Sequence, residues 1–155
     1  MAEQEAQNPS FDIRKVYLKD SSLESPNAPE IFLEDPGSPD VSVEASIKSN
    51  ALKEANYYEI VLSVTVTTKM GDKTGFLVEV QQAGIFQIAG IPEKDMPMAL
   101  EIACPNVLLP FAREAISDLV GKGGFPQLLL APINFELLYQ QKRQKLAEKE
   151  SAAEH

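Results

Sequence analysis

The chain has no tryptophan, one cysteine and one histidine. Each scarcity removes a class of chemistry. The histidine is His155, the last residue, so Ser-His-Asp and Cys-His nucleophile schemes and histidine-containing zinc sites fall away. The lone Cys104 excludes an intrachain disulfide framework and any cysteine cluster, which fits a reducing compartment. It precedes Pro105 in an apolar setting and reads as a buried structural thiol. Positive charge is also short: 14 Lys and Arg stand against 23 Asp and Glu, giving a net charge of −9. That balance argues against nucleic acid and against an anionic membrane surface, and it suits basic partners. Apolar runs such as Val107 to Ala112 are too short to span a bilayer. The first ten residues, MAEQEAQNPS, have no apolar core of a secretory signal, so a cytoplasmic location is expected.

Known chemical motifs are missing as well. GxGxxG and HExxH do not occur, and the glycines around Lys122 fail the phosphate-loop pattern at Ile116 and Gly123. Asp20 and Glu24 read as solvated carboxylates near a strand end. No catalytic residue, cofactor or metal site is assigned, and the inventory favours a binding protein over a small α+β enzyme.

What is present is strong period-two patterning. At 155 residues, with 44% hydrophobic content, the chain fits one domain with a sizeable core. Its centre is Lys73–Ile91. Phe76, Val78, Val80, Phe86 and Ile88 fall on one face of a strand, while Leu77, Glu79, Gln81 and Gln87 fall on the other. Gln82, Ala83 and Gly84 predict a bulge or bend within it. The mixed face is either a docking surface or a solvated sheet face. Three further strands precede it. Phe11–Leu18, extending towards Leu23, places Phe11, Ile13 and Tyr17 on one face, with Asp20, Glu24 and Leu18 sharing a face further along. Val41–Lys48 and Tyr57–Met70 alternate cleanly, and Gly71-Asp72-Lys73 reads as a hairpin turn. Between the first two strands, Ser25–Asp40 is a proline-rich connection whose Ile31, Phe32 and Leu33 either plug the core or line a groove.

After Pro92 the period becomes helical. Met96, Ala99, Leu100 and Ala103 form one stretch, with Asp95 as N-cap and Pro97 in the first turn. Pro105 is expected to interrupt or kink it. Val107, Leu108, Phe111, Ala115, Ile116 and Leu119 form a broad apolar face on the next stretch, which the glycines at 121, 123 and 124 stop. Asn134 caps a final helix carrying Phe135, Leu138, Tyr139 and Leu146, with Lys142, Arg143 and Lys145 towards its end. The folded domain is expected over residues 11–147, with residues 1–10 and 148–155 disordered.

Four strings in order, YLKDSSLESPNAP, FLVEVQQAGIFQIAGI, ACPNVLLPFAREAISDLV and GGFPQLLLAPINFELLY, resemble the SecB family of bacterial protein-export chaperones. The resemblance covers Phe11 to Tyr139. It implies an α+β fold, with a four-stranded antiparallel sheet followed by a long kinked helix and a C-terminal helix. It also implies a homotetramer, a dimer of dimers with the long helices between the sheets. The implied function is an ATP-independent cytoplasmic holdase that binds unfolded precursors and delivers them to the SecA motor ATPase. A general or toxin–antitoxin-linked chaperone on the same fold is the alternative. By resemblance, Asp20, Glu24, Leu77 and Glu79 form the motor-docking patch. Phe32, Leu33, Leu138 and Tyr139 line the client groove, and Val78, Val80 and Gln82 serve oligomerisation. Many relatives carry a tryptophan in the proline-rich loop, where this chain reads DPGSPD.

Overall fold

Four strands, built from the alternating segments, carry the fold. The computed structural model describes residues 8–153. Strands β1 (Ser10–Glu24), β2 (Asp40–Ala51), β3 (Tyr57–Met70) and β4 (Lys73–Ala89) form one sheet in the order β1-β4-β3-β2. Every neighbouring pair is antiparallel. Two hairpins join β2 to β3 and β3 to β4, so the connection after β1 must cross from one sheet edge to the other. That crossing explains the length of the proline-rich segment. It is tied down by Asn27 donating to the Thr74 carbonyl at 2.9 Å and by a 2.6 Å ion pair between Lys73 and Glu34. Ile31 plugs the core at 4% exposure, whereas Phe32 and Leu33 point outward. Of the two roles its sequence allowed, the segment fills the first through Ile31, and Phe32 and Leu33 are exposed.

The even face of β3 and β4 is the core face. Ile60, Leu62, Val64 and Val66 lie beside Val80, Val78, Phe86 and Ile88, all essentially without exposure. The predicted bulge in β4 is absent, because alternation and pairing to β3 run unbroken from Leu77 to Gln87. Two irregularities sit instead in β1, where Arg14 and Lys19 are extra residues opposite Phe86/Ile85 and Gln82/Gln81, and a third lies near the start of β4, where Gly75 is extra opposite Thr68/Lys69. An edge strand gives up fewer ladder bonds to a bulge than a central one does. Each bulge exchanges the faces of β1. Phe11 and Ile13 therefore share the inner face with Ile88 and Phe86, but Tyr17, opposite Ala83, faces outward. Leu18, opposite Gln82, is likewise on the inner side and not with Asp20 and Glu24.

A helical segment crosses the inner face. It opens with Met96–Met98, passes through a π-helical turn at Ala99–Ala103 and continues as helix α1 (Cys104–Lys122). Pro105 does not break it. The π turn, in which the Cys104 N–H reaches the Ala99 carbonyl, makes room for the missing donor and the proline ring. Asp95 makes no capping bond and belongs to a preceding 3₁₀ turn. The apolar face read across α1 divides. Leu108 and Ile116, with Cys104, Ala112 and Val120, pack on the sheet, while Phe111 stays 48% exposed on the far side. Gly124, at φ +87°, ends the helix, with the Phe125 N–H on the Val120 carbonyl at 3.2 Å.

The segment after α1 returns along the sheet and enters helix α2 (Phe135–Ala153). Asn134 caps it as expected, its Oδ1 accepting from the Leu137 N–H at 3.0 Å. The helix passes the expected boundary at 147 because residues 140–153 are mainly Gln, Lys, Ala and Glu, good helix formers that need no core. At the other end β1 starts at Ser10; residues 1–7, 154 and 155, also expected to be disordered, lie outside the described residues.

Candidate functional site

Two surfaces stand out, one on each face of the sheet. On the outer face, the β1 register sets Asp20 opposite Gln81, Ser22 opposite Glu79 and Glu24 opposite Leu77. Asp20, Glu24, Leu77 and Glu79 therefore share one face, although more than 50 residues separate the two pairs. The lateral neighbours extend the patch. Glu79 faces Thr65, which faces Glu44 on β2, so Glu44 is a fourth carboxylate that sequence reading missed. Its signal was the polar parity of β2, which has no meaning until the strand order is known. Pleat and strand spacings make the patch about 13 Å by 14 Å. Among the described residues none of these carboxylates is in an ion pair, and all four are exposed. Half-buried Leu77 is the apolar point within them.

Below the patch the same face turns basic and aromatic. The Tyr17 hydroxyl donates to Glu59 Oε2, and Lys19 Nζ holds both Glu59 oxygens at 3.0 and 3.1 Å. This network spans β1 to β3 over the small Ala83 side chain and braces the Lys19 bulge. Burial and the bond to Glu59 push the Tyr17 hydroxyl up to about 12. The Tyr17 bond, with help from Lys19, holds the Glu59 carboxyl below its usual range. Since Lys19 is committed to Glu59, it does not neutralise Asp20.

The inner face carries the second surface, at the β2 edge. The odd side chains of β2, Val41, Val43, Ala45 and Ile47, lie beside Thr68, Val66, Val64 and Leu62 on the core side. Helix α1 covers β4 and β3 but leaves this outermost strip open: Val41 is 47% and Val43 43% exposed. Leu130, Ala131, Pro132, Ile133 and Leu138 close one hollow of 240 Å³ over Val43 and Ala45. A second, of 190 Å³, lies between Ala45–Ile47 and Glu101, Leu138, Tyr139 and Lys142. Leu138 is common to both, so they form one trough along the strand.

Of the four predicted groove residues, two line the trough. Leu138 and Tyr139, half-buried, stand at the α2 end. Phe32 lies in neither hollow; its ring is tilted against Phe125 at 5.1 Å, and Phe125 is 5.0 Å from Phe76. Phe76 pairs with Thr68 and Thr68 with Val41, but Phe125, Phe76 and Thr68 are buried, so no open surface joins Phe32 to the trough through them. Leu33 is 88% exposed and also lies in neither hollow. Val78, Val80 and Gln82 are buried in this chain's own core, Gln82 donating to the Tyr17 carbonyl at 3.1 Å. Cys104 is buried, and burial alone pushes its thiol up to about 12. Among the described residues no cluster of His, Cys, Asp or Glu could hold a metal, and no helix is long and apolar enough to cross a membrane.

The family described as Preprotein translocase subunit SecB matches residues 4–146. The chain belongs to the SecB family. The Protein-export protein SecB of Methylobacillus flagellatus is 50% identical over 159 residues, covering 100% of both chains. That of Nitrosospira multiformis is 52% identical over 141 residues, covering 91% of this chain and 87% of its own. With this kinship over nearly its whole length, the protein is a SecB export chaperone. A SecB-like chaperone from Mycobacterium tuberculosis, solved with a ChAD peptide from an antitoxin, superposes with a TM-score of 0.66. It covers 79% of this chain and 90% of its own, at 17% identity, and so speaks to the SecB fold.

Proposed function

We propose that this SecB protein is an ATP-independent cytoplasmic holdase that binds unfolded precursor chains in the β2 trough and passes them to the motor ATPase SecA. The observation that carries the reading is the open apolar trough from Val43 to Tyr139, unsealed in the folded protomer. Unfolded chains expose the apolar side chains that such a trough accepts, and folded ones do not. One seated Leu or Phe gains about 1.5–3 kcal/mol. That is less than the cost of association, about 4–15 kcal/mol. Tight holding therefore needs several contacts, and a homotetramer offers four troughs to one long client.

The half-exposed outer stripe of α1, with Phe111, is the apolar surface on which protomers join. Val78, Val80 and Gln82 act on assembly from within the core, by setting where α1 rests on the sheet. SecA docks on Asp20, Glu24, Leu77 and Glu79, extended by Glu44, through a basic segment with an apolar residue for Leu77. The reading assigns the chain no catalysis and no cofactor.

The test is refolding of a denatured secretory precursor without nucleotide. A stoichiometric excess of tetramer slows it severalfold, and Val43→Asp with Leu138→Asp removes the delay. No delay with the unsubstituted protein refutes the holdase. Charge reversal at Asp20, Glu24 and Glu79 abolishes motor binding while the delay remains. Unchanged motor affinity refutes the docking patch, and with it the dedication to export.

A further inference from the structure

A further hollow, of 540 Å³, lies on the outer face of the sheet, larger than either hollow of the trough. Its floor residue Ile85 is six residues along β4 from Glu79, or about 20 Å. The bulge at Arg14 shapes it. In a regular strand Arg14 and Lys15 would point to opposite faces. Because Arg14 is the extra residue opposite Phe86/Ile85, both side chains line this one hollow. Re-aiming a side chain is a general use of bulges. Arg14 donates from Nη2 to the Tyr57 hydroxyl at 3.2 Å and sits 5.8 Å from the centre of its ring. Half-buried Tyr57 and Ile85, with Leu52, form an apolar floor. Lys53, just past the end of β2, stands at the opposite margin. The lining thus carries three cations against one carboxylate, Glu54, on a chain whose net charge is −9. Among the described residues none of the three cations is in an ion pair.

We infer that this hollow docks an acidic peptide segment of a protein partner, with carboxylates on its first and fifth residues and a large apolar side chain on the third. The spacing follows from the sheet. From β1 to the line of β2 is three strand spacings, about 14 Å. In an extended segment the first and fifth residues are about 13 Å apart, and the third points the same way. A segment crossing the strands sets one carboxylate at Arg14 and Lys15 and the other at Lys53. Its apolar side chain then rests on Ile85, Leu52 and the Tyr57 ring. A sheet face supplies a floor without enclosing walls, which suits a length of chain better than a small molecule. The surplus negative charge repels acidic chains elsewhere on the surface, so this basic island is where one gains entry. The hollow shares no lining residue with the trough, and the inference does not rest on the holdase reading.

Since the chain has no tryptophan, a tryptophan in the peptide reports its own binding. The probe is a short peptide with Glu at the first and fifth positions and Trp at the third, added to the full-length protein at low salt and followed by its fluorescence. One comparator replaces both Glu by Gln, and another moves both Glu to one end. Two exposed ion pairs predict the flanked peptide to bind about three- to tenfold tighter than the Gln peptide, with the one-ended peptide between them. The gap closes at about 1 M salt, where the screening length falls to roughly 3 Å. Lys15→Glu with Lys53→Glu, which keeps the Arg14–Tyr57 bond, makes the acidic peptides the weaker binders. The same change of charge at Lys145 and Lys149, on α2, leaves the order as it was. So does Val43→Ser with Leu138→Ser, which disrupts the trough without altering charge. Loss of binding in that trough variant assigns the peptide to the trough and overturns the inference. Equal affinity for the flanked and Gln peptides, or for the flanked and one-ended ones, overturns it as well. An order unmoved by Lys15→Glu with Lys53→Glu does the same, and each of these results leaves the holdase reading intact.

Discussion

Gly84→Ala tests how closely α1 is seated on β4, the contact that positions both surfaces. A methyl at this position stands 2.9 Å from Phe86 Cε2, 3.0 Å from Leu108 Cδ2 and 3.2 Å from the Lys15 carbonyl oxygen. Phe86 and Leu108 are both at 0% exposure, and the third neighbour is backbone, so none can swing into solvent. Overpacking of this kind costs about 1–3 kcal/mol. An opposing term exists, because Gly84 lacks a positive φ and alanine restricts the unfolded chain, favouring folding by about 0.4–1 kcal/mol. The steric cost is the larger, leaving a net loss of about 1–2 kcal/mol. For a chain of this size that lowers Tm by about 2–8 °C. The assay is thermal unfolding followed by circular dichroism at one fixed protein concentration, since assembly makes Tm depend on concentration. Leu108→Val in the Gly84→Ala background relieves part of the crowding, so the double mutant loses less than the sum of the singles. A Tm equal to or above that of the unsubstituted protein refutes close seating of the helix.

The Tyr17–Glu59–Lys19 network predicts an acid limb of stability. Glu59 has a folded pKa below its unfolded value, so its contribution is present above the unfolded value and is lost as pH falls through the folded one. Glu59→Gln flattens that limb in pH-resolved denaturant titrations; an unchanged limb removes Glu59 from the account. Tyr17, raised to about 12, contributes fully below pH 10 and loses its contribution as pH rises towards 12, and Tyr17→Phe removes that alkaline loss. Cys104 should resist thiol reagents in the native protein and react only at the rate of opening, measured with an aromatic disulfide; rapid native labelling contradicts its burial. Asn134→Ala loses the cap of α2 and should cost about 1 kcal/mol by urea unfolding, with no change in α1.

Strand positions were legible from residues alone because each strand is half-buried, and a half-buried strand writes its own period. β3 and β4 begin where their patterns begin, at Tyr57 and Lys73. What could not be read was which strand yields when two do not match. The bulge expected at Gln82–Gly84 is not there; the extra residues are Arg14 and Lys19 of the edge strand and Gly75 near the start of β4. Gly84 has a different purpose, leaving space for Leu108. The faces of Tyr17 and Leu18 were misassigned for the same reason, since one extra residue exchanges inside for outside. Pro105 was legible as an interruption of the α-helix, and the structure gives that interruption the form of a π turn just upstream.

By itself the sequence determined the strand and helix segments, the acidic surplus and the family. These depend on local patterning and composition, which need no partner in space. The tertiary structure decided which carboxylates meet and which apolar residues stay wet. Glu44 joins Glu79 only through the order β4-β3-β2. The trough is open only because α1 leaves the β2 edge uncovered, and exposure of this kind is a property of the packed whole, never of the residue.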